Sequence, residues 1–155
     1  MICMASIPID QLYGAYFAEP MQSPLLKLGP PIQVLLVEDS VEAARLTRSL
    51  ISEGGDEMFR VEWKDNLQQA MNRLAQPGID VVLLDLGMPE LSGYRTHLAI
   101  TLVVGKTVPV VILTSDDSPM SREITIHQGA ASYLLKHETS SSQLRQALHA
   151  AVSGR

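Results

Sequence analysis

At 155 residues, 46% apolar and 19% charged, the chain is long enough for one domain with a real core and too hydrophobic to be disordered. A formal net charge of -5 and the lack of any basic stripe argue against phosphate-driven nucleic-acid binding, so no direct DNA contact is expected. The lone Cys3 excludes a disulfide framework and a cysteine zinc site, and no apolar run resembles a membrane span or a secretory signal; a cytoplasmic protein is expected.

Residues 1–31 hold five of the nine prolines and one basic residue, Lys27, with no sustained period of 2 or 3.6. They predict an N-terminal extension, either loosely ordered or docking through Tyr13, Tyr16 and Phe17. The domain proper is expected over residues 32–155. Residues 32–37 read as a buried strand running into Glu38-Asp39. Ser40 or Asp39 caps a helix whose expected inner side is Val41, Ala44, Leu46, Leu50 and Ile51, and Gly54-Gly55 ends it. Residues 59–63 alternate and predict a half-buried edge strand. A helix capped by Asp65 or Asn66 follows, with Leu67, Ala70, Met71 and Leu74 on one side, and Pro77-Gly78 closes it.

Residues 81–84 are four apolar residues that run straight into Asp85, the pattern of a strand buried on both faces of a parallel sheet. A third helix is expected from Ser92 to about Val104, with Leu98, Ala99, Leu102 and Val103 inward. Residues 110–113 form a fourth strand ending in Thr114. Pro119 suits the first turn of the helix after it. Residues 131–135 form a fifth strand ending in Lys136, and the last helix runs from Ser140 to about Val152 with Leu144, Ala147, Leu148 and Ala151 inward. Strands alternating with helices predict an α/β fold around a parallel sheet, helices on both faces.

In such a sheet all carboxyl ends lie on one side, where ligands bind. Glu38-Asp39, Asp85, Thr114 and Lys136 therefore converge. Three carboxylates with no His-Cys set indicate a hard, oxygen-ligated cation, and Mg2+ fits, since it takes one or two carboxylates, several waters and a substrate phosphate. Two like charges about 4 Å apart repel by roughly 4 kcal/mol at an effective dielectric of 20, which Lys136 offsets in part.

This set resembles the receiver domain of two-component response regulators. Pro89 and Gly93 fall four and eight residues after Asp85, as in that family's acceptor loop. Tyr133 falls three before Lys136, where the family places its aromatic switch. The resemblance covers about residues 32 to 152 and implies a doubly wound (βα)5 flavodoxin-like, CheY-like fold with strand order 2-1-3-4-5. It implies Asp85 as the phosphoacceptor and a sensor histidine kinase or phosphotransfer protein as donor. Mg2+ is then held by Asp39, Asp85, the Gly87 carbonyl and, partly through water, Glu38. Lys136 and Thr114 each meet a phosphoryl oxygen, and Tyr133 turns inward to reshape the face made by the fourth helix, fifth strand and fifth helix for a downstream protein.

The resemblance implies a signalling protein rather than an enzyme, with no membrane partner, and leaves a homodimer open. The chain departs from the pattern at His137, where many members carry proline after the lysine. Two alternatives remain: a pseudo-receiver that binds partners without phosphorylation, and an Asp-nucleophile hydrolase. The hydrolase class usually needs a second acid two residues after the nucleophile, and here that position is Gly87.

Overall fold

The structure is a computed structural model describing residues 29–53, 57–91 and 93–154. Most of the 1–31 extension, its aromatics included, lies outside the described residues, as do the Gly54-Gly55 stop and the Ser92 helix start. Among the described residues, five strands alternate with five helices. In chain order they are β1 (Ile32–Val37), α1 (Val41–Ser52), β2 (Phe59–Lys64), α2 (Leu67–Leu74), β3 (Val81–Leu84), α3 (Tyr94–Val104), β4 (Val110–Thr114), α4 (Pro119–His127), β5 (Ser132–Leu135) and α5 (Ser141–Ser153). The strands form one parallel sheet in the expected order, β2-β1-β3-β4-β5.

Side chains alternate across a strand, so a strand covered by helices on both faces must be apolar throughout. In β1, Leu35 and Val37 pack with Leu67 and Ala70 of α2 and Ile100 of α3, while Val34 and Leu36 pack with Ala44 and Ile51 of α1 and Leu144 and Leu148 of α5. All four residues of β3 are fully buried. Pairing aligns Val37 with Leu84 and Thr114 with Leu135. The next residues, Glu38, Asp85 and Lys136, thus emerge together at the carboxyl edge. At the opposite edge, Gly154 beyond α5 lines a cavity of about 720 Å³ with Pro109 and Ala131, beside the starts of β4 and β5.

Four helices start on side-chain caps: Ser40, Asn66, Ser118 and Ser140 each accept a hydrogen bond from the backbone N–H three residues on. Ser140 and Gln143 complete a reciprocal capping box. Helix α3 starts without one, at Gly93, whose φ of 59° favours glycine.

Two helix faces differ from expectation. In α1 the buried residues are Ala44, Thr47 and Ile51, whereas Leu46 is 67% exposed and Val41 60%. Residues 44, 47 and 51 form one helical stripe that Leu46 cannot share; Val41 shares it but stands in the first turn, just past the strand ends. In α3 the buried side is Thr96, His97, Ile100 and Val104, while Leu98, Leu102 and Val103 face outward. That helix is apolar nearly all round, so its pattern selects no face and neighbouring elements decide. Buried polar groups are tolerated when hydrogen-bonded: Thr96 donates to the Leu91 carbonyl at 2.7 Å, and the His97 ring lies between Gln128 and Thr101, 3.2 Å from each. Ile100→Ala is therefore expected to cost about 2–5 kcal/mol in urea unfolding, whereas Leu102→Ala stays within about 0.5 kcal/mol. Equal losses would place the α3 face wrongly.

Candidate functional site

The carboxyl edge of the sheet gathers all the predicted acidic and basic residues. Lys136, one residue past β5, bridges two strands. Its Nζ donates to Glu38 Oε2 at 2.5 Å and to Asp85 Oδ2 at 2.8 Å. Glu38 is 2% exposed and Asp85 8%, whereas Asp39 projects into solvent. Carboxylate oxygens of Glu38, Asp39 and Asp85 lie within 4.8 Å of one another.

The two buried acids are held by backbone as well. The Gly87 amide donates to Asp85 Oδ1 at 3.0 Å. The Ser40 amide donates to Glu38 Oε1 at 3.2 Å. The backbone of Glu38 is also clamped on both sides: its N–H donates to the Lys64 carbonyl at 3.1 Å, and its carbonyl, in the next peptide, accepts from Trp63 Nε1 at 2.8 Å. Thr114 is buried at the end of β4, and its Oγ1 accepts from the Asp116 amide at 3.2 Å.

The electrostatics follow from this geometry. Burial opposes the charge on Asp85, but the Lys136 ammonium and the Gly87 amide outweigh it, with help from the Thr114 hydroxyl, and hold the carboxyl below its ordinary pKa. Burial also opposes the charge on Lys136, yet hydrogen bonds to Asp85 and Glu38 raise its pKa. For Glu38, burial prevails: with the nearby Asp85 charge it outweighs the hydrogen bond from Lys136, and the pKa rises. Between these two buried acids the environment thus favours the neutral form of Glu38 and the ionised form of Asp85. When all are ionised, three carboxylates against one ammonium leave two negative charges, which one divalent cation balances. The donors are hard oxygens, and octahedral ligands about 2.1 Å from a magnesium ion sit roughly 3–4 Å apart. Three carboxylate oxygens within 4.8 Å of one another are a donor set of the right kind and number, so the residues fit the ion.

Tyr133 already points inward, 6% exposed. Its hydroxyl donates to the Asp116 carbonyl at 2.8 Å, and Arg122 of α4 lies 4.7 Å from the ring centroid while donating to the Tyr133 carbonyl at 3.2 Å. Burial, reinforced by the Asp116 charge, pushes its hydroxyl pKa up to about 12. His137 is exposed beside the cleft. The roles of Trp63, Arg122 and the Gly87 amide are invisible in sequence, since none belongs to a strand-end polar pattern. The one available signal was a polar-tipped aromatic, Trp63, near the end of an otherwise ordinary edge strand.

Comparison with known proteins places the chain in one family. The family described as "Response regulator receiver domain" matches residues 34–149. The swarming motility regulation protein RssB of Serratia marcescens is 32% identical over 106 residues, covering 68% of this chain and 46% of its own. Two-component response regulator ORR11 of Oryza sativa subsp. indica is 32% identical over 111 residues, covering 70% and 73%. Several curated relatives are much longer: the chain spans less than half of RssB and of the rice regulator ORR1. A response regulator receiver domain protein from Clostridium thermocellum superposes with a TM-score of 0.69 at 22% identity, covering 79% of this chain and 95% of that one. A CheY-like receiver domain protein from Methanospirillum hungatei JF-1 gives 0.68 at 14%, covering 80% and 95%. The solved structures carry the fold; the family match over three quarters of the sequence carries membership, and this chain belongs to the response regulator receiver domain family.

Proposed function

We propose that residues 32–155 act as a phosphoacceptor, with Asp85 receiving a phosphoryl group from a phosphohistidine on a sensor histidine kinase or phosphotransfer protein. One observation carries this reading: carboxylates following β1 and β3 and the ammonium following β5 share one small volume at the sheet edge. An Asp85 oxygen attacks phosphorus, the P–N bond breaks, and its electron pair leaves on the imidazole, giving an acyl phosphate. The lowered pKa of Asp85 keeps the nucleophile ionised at neutral pH. The transferring group is anionic, so positioning and charge neutralisation supply most of the catalysis. Lys136 exchanges part of its contact with Asp85 for a phosphoryl oxygen, and the Thr114 hydroxyl donates to another. Asp39, Asp85, the Gly87 carbonyl and, partly through water, Glu38 would hold magnesium, which would supply positive charge to the transferring group.

The output surface we propose is the α4–β5–α5 face, where a groove of about 530 Å³ is lined by Arg122, Tyr133, Leu135, Gln143 and Gln146. Because Tyr133 is already inward, phosphorylation stabilises an existing arrangement of this face rather than creating a new one. Drawing Thr114 toward the phosphoryl group weakens its bond from the Asp116 amide and couples the acceptor to the loop that holds the Tyr133 hydroxyl.

Incubation with Mg2+ and beryllofluoride is expected to give a stable complex, detected by fluorine NMR, that is lost in Asp85→Asn and on chelation of the metal; an unchanged signal in the variant would end the phosphoacceptor reading. The metal reading has its own check in urea unfolding. Mg2+ at tenfold its Kd should stabilise the protein by about 1.4 kcal/mol. Asp39→Asn should be more stable than wild type without metal, by about 0.5–1 kcal/mol, and gain little from Mg2+. A variant less stable than wild type but still stabilised by the ion would remove Asp39 from the site.

A further inference from the structure

We infer that Trp63 is a positioning residue of the acidic site, acting on the metal through the Glu38–Asp39 peptide; this rests on the magnesium reading above. Trp63 is the chain's single tryptophan. It lies on β2 opposite Leu36, half-buried, packed against the core layer of α1 and α5. Its indole N–H passes beyond the strand pairing to the carbonyl of Glu38, at 2.8 Å. That carbonyl belongs to the peptide linking the two neighbouring acids. A peptide unit is planar, so fixing its oxygen fixes the nitrogen of Asp39 and limits where the Asp39 Cα–Cβ bond points.

Asp39 needs that external hold more than its neighbours do. Glu38 is buried and bound by Lys136 and the Ser40 amide, and Asp85 by Lys136 and the Gly87 amide. Asp39 is exposed, and what orients it is the backbone on either side. Ahead of it, the backbone of Glu38 is bonded on both sides of its Cα: the N–H of the preceding peptide to the Lys64 carbonyl, and the carbonyl of the Glu38–Asp39 peptide to the Trp63 indole. Behind it, Ser40 caps α1 by accepting from Ala43. Of these tethers, only the indole is a side chain reaching in from another element. It sets the acids in place before the ion arrives, so binding needs less ordering of the loop.

The inference separates two properties of the residue: its bulk, which fills the core, and its N–H, which orients the loop. Trp63→Phe keeps an aromatic ring and loses the donor. Trp63→His loses bulk but retains a ring N–H at the same position in the five-membered ring. Mg2+ affinity by isothermal titration calorimetry is expected to fall roughly three- to tenfold in Trp63→Phe, the worth of one hydrogen bond, and to recover toward wild type in Trp63→His. Urea midpoints measured without metal should rank the other way, with Trp63→Phe the more stable of the two. Unchanged affinity in Trp63→Phe, or affinities that follow stability across the three proteins, would overturn the positioning role. Should wild type bind Mg2+ and Asp39→Asn lose it while Trp63→Phe does not change, this inference alone fails; should wild type not bind the ion, the metal reading fails and this inference with it.

Discussion

The arrangement depends on a single ammonium shared between two buried acids. Lys136 meets Glu38 and Asp85 at once, and these three residues come from the ends of three different strands. Removing two carboxylates from water is costly, and close like charges add to that cost. A cation between them makes the burial tolerable and also sets their protonation apart: Asp85 is held ionised while Glu38 becomes the easier of the two to protonate. The compensation stays incomplete because Asp39 adds a further negative charge. The cluster thus keeps a net negative charge that one more cation would balance.

Everything beneath the cluster serves to keep it in register. The pairing of β1 with β3 brings Glu38 beside Asp85, and the pairing of β4 with β5 brings Lys136 just past Thr114. A slip of one residue would turn each of these side chains to the other face of the sheet. Apolar packing on both faces makes such a slip expensive, since β3 is wholly buried. Stability and chemistry are therefore joined through the same strands: the core fixes the register, and the register fixes the spacing of charges.

What could be read in the sequence was what depends on chain direction and burial alone. Strands covered on both sides show as unbroken apolar runs, and the polar residue after each run lies at the carboxyl edge by topology; Asp85, Thr114 and Lys136 were legible for that reason. Helices α2 and α5 present one apolar side and their inner residues were legible too. Helix α3 was not, because apolar residues surround it, and its buried side carries Thr96 and His97, whose partners Leu91 and Gln128 lie outside the helix. Helix α1 hides Thr47, a polar residue that a hydrophobic count passes over. The clamp from Trp63 and the stacking of Arg122 on Tyr133 join segments 25 and 11 residues apart, and no local pattern encodes such meetings.

The chain enters β1 just after Gly29 and leaves α5 at Gly154, which lies against the starts of β4 and β5, so both crossings are made at the edge of the sheet away from the acids. Any polypeptide fused at either crossing would be tethered behind the molecule. The two ends of the described chain and the acidic cluster thus lie on opposite sides of the sheet.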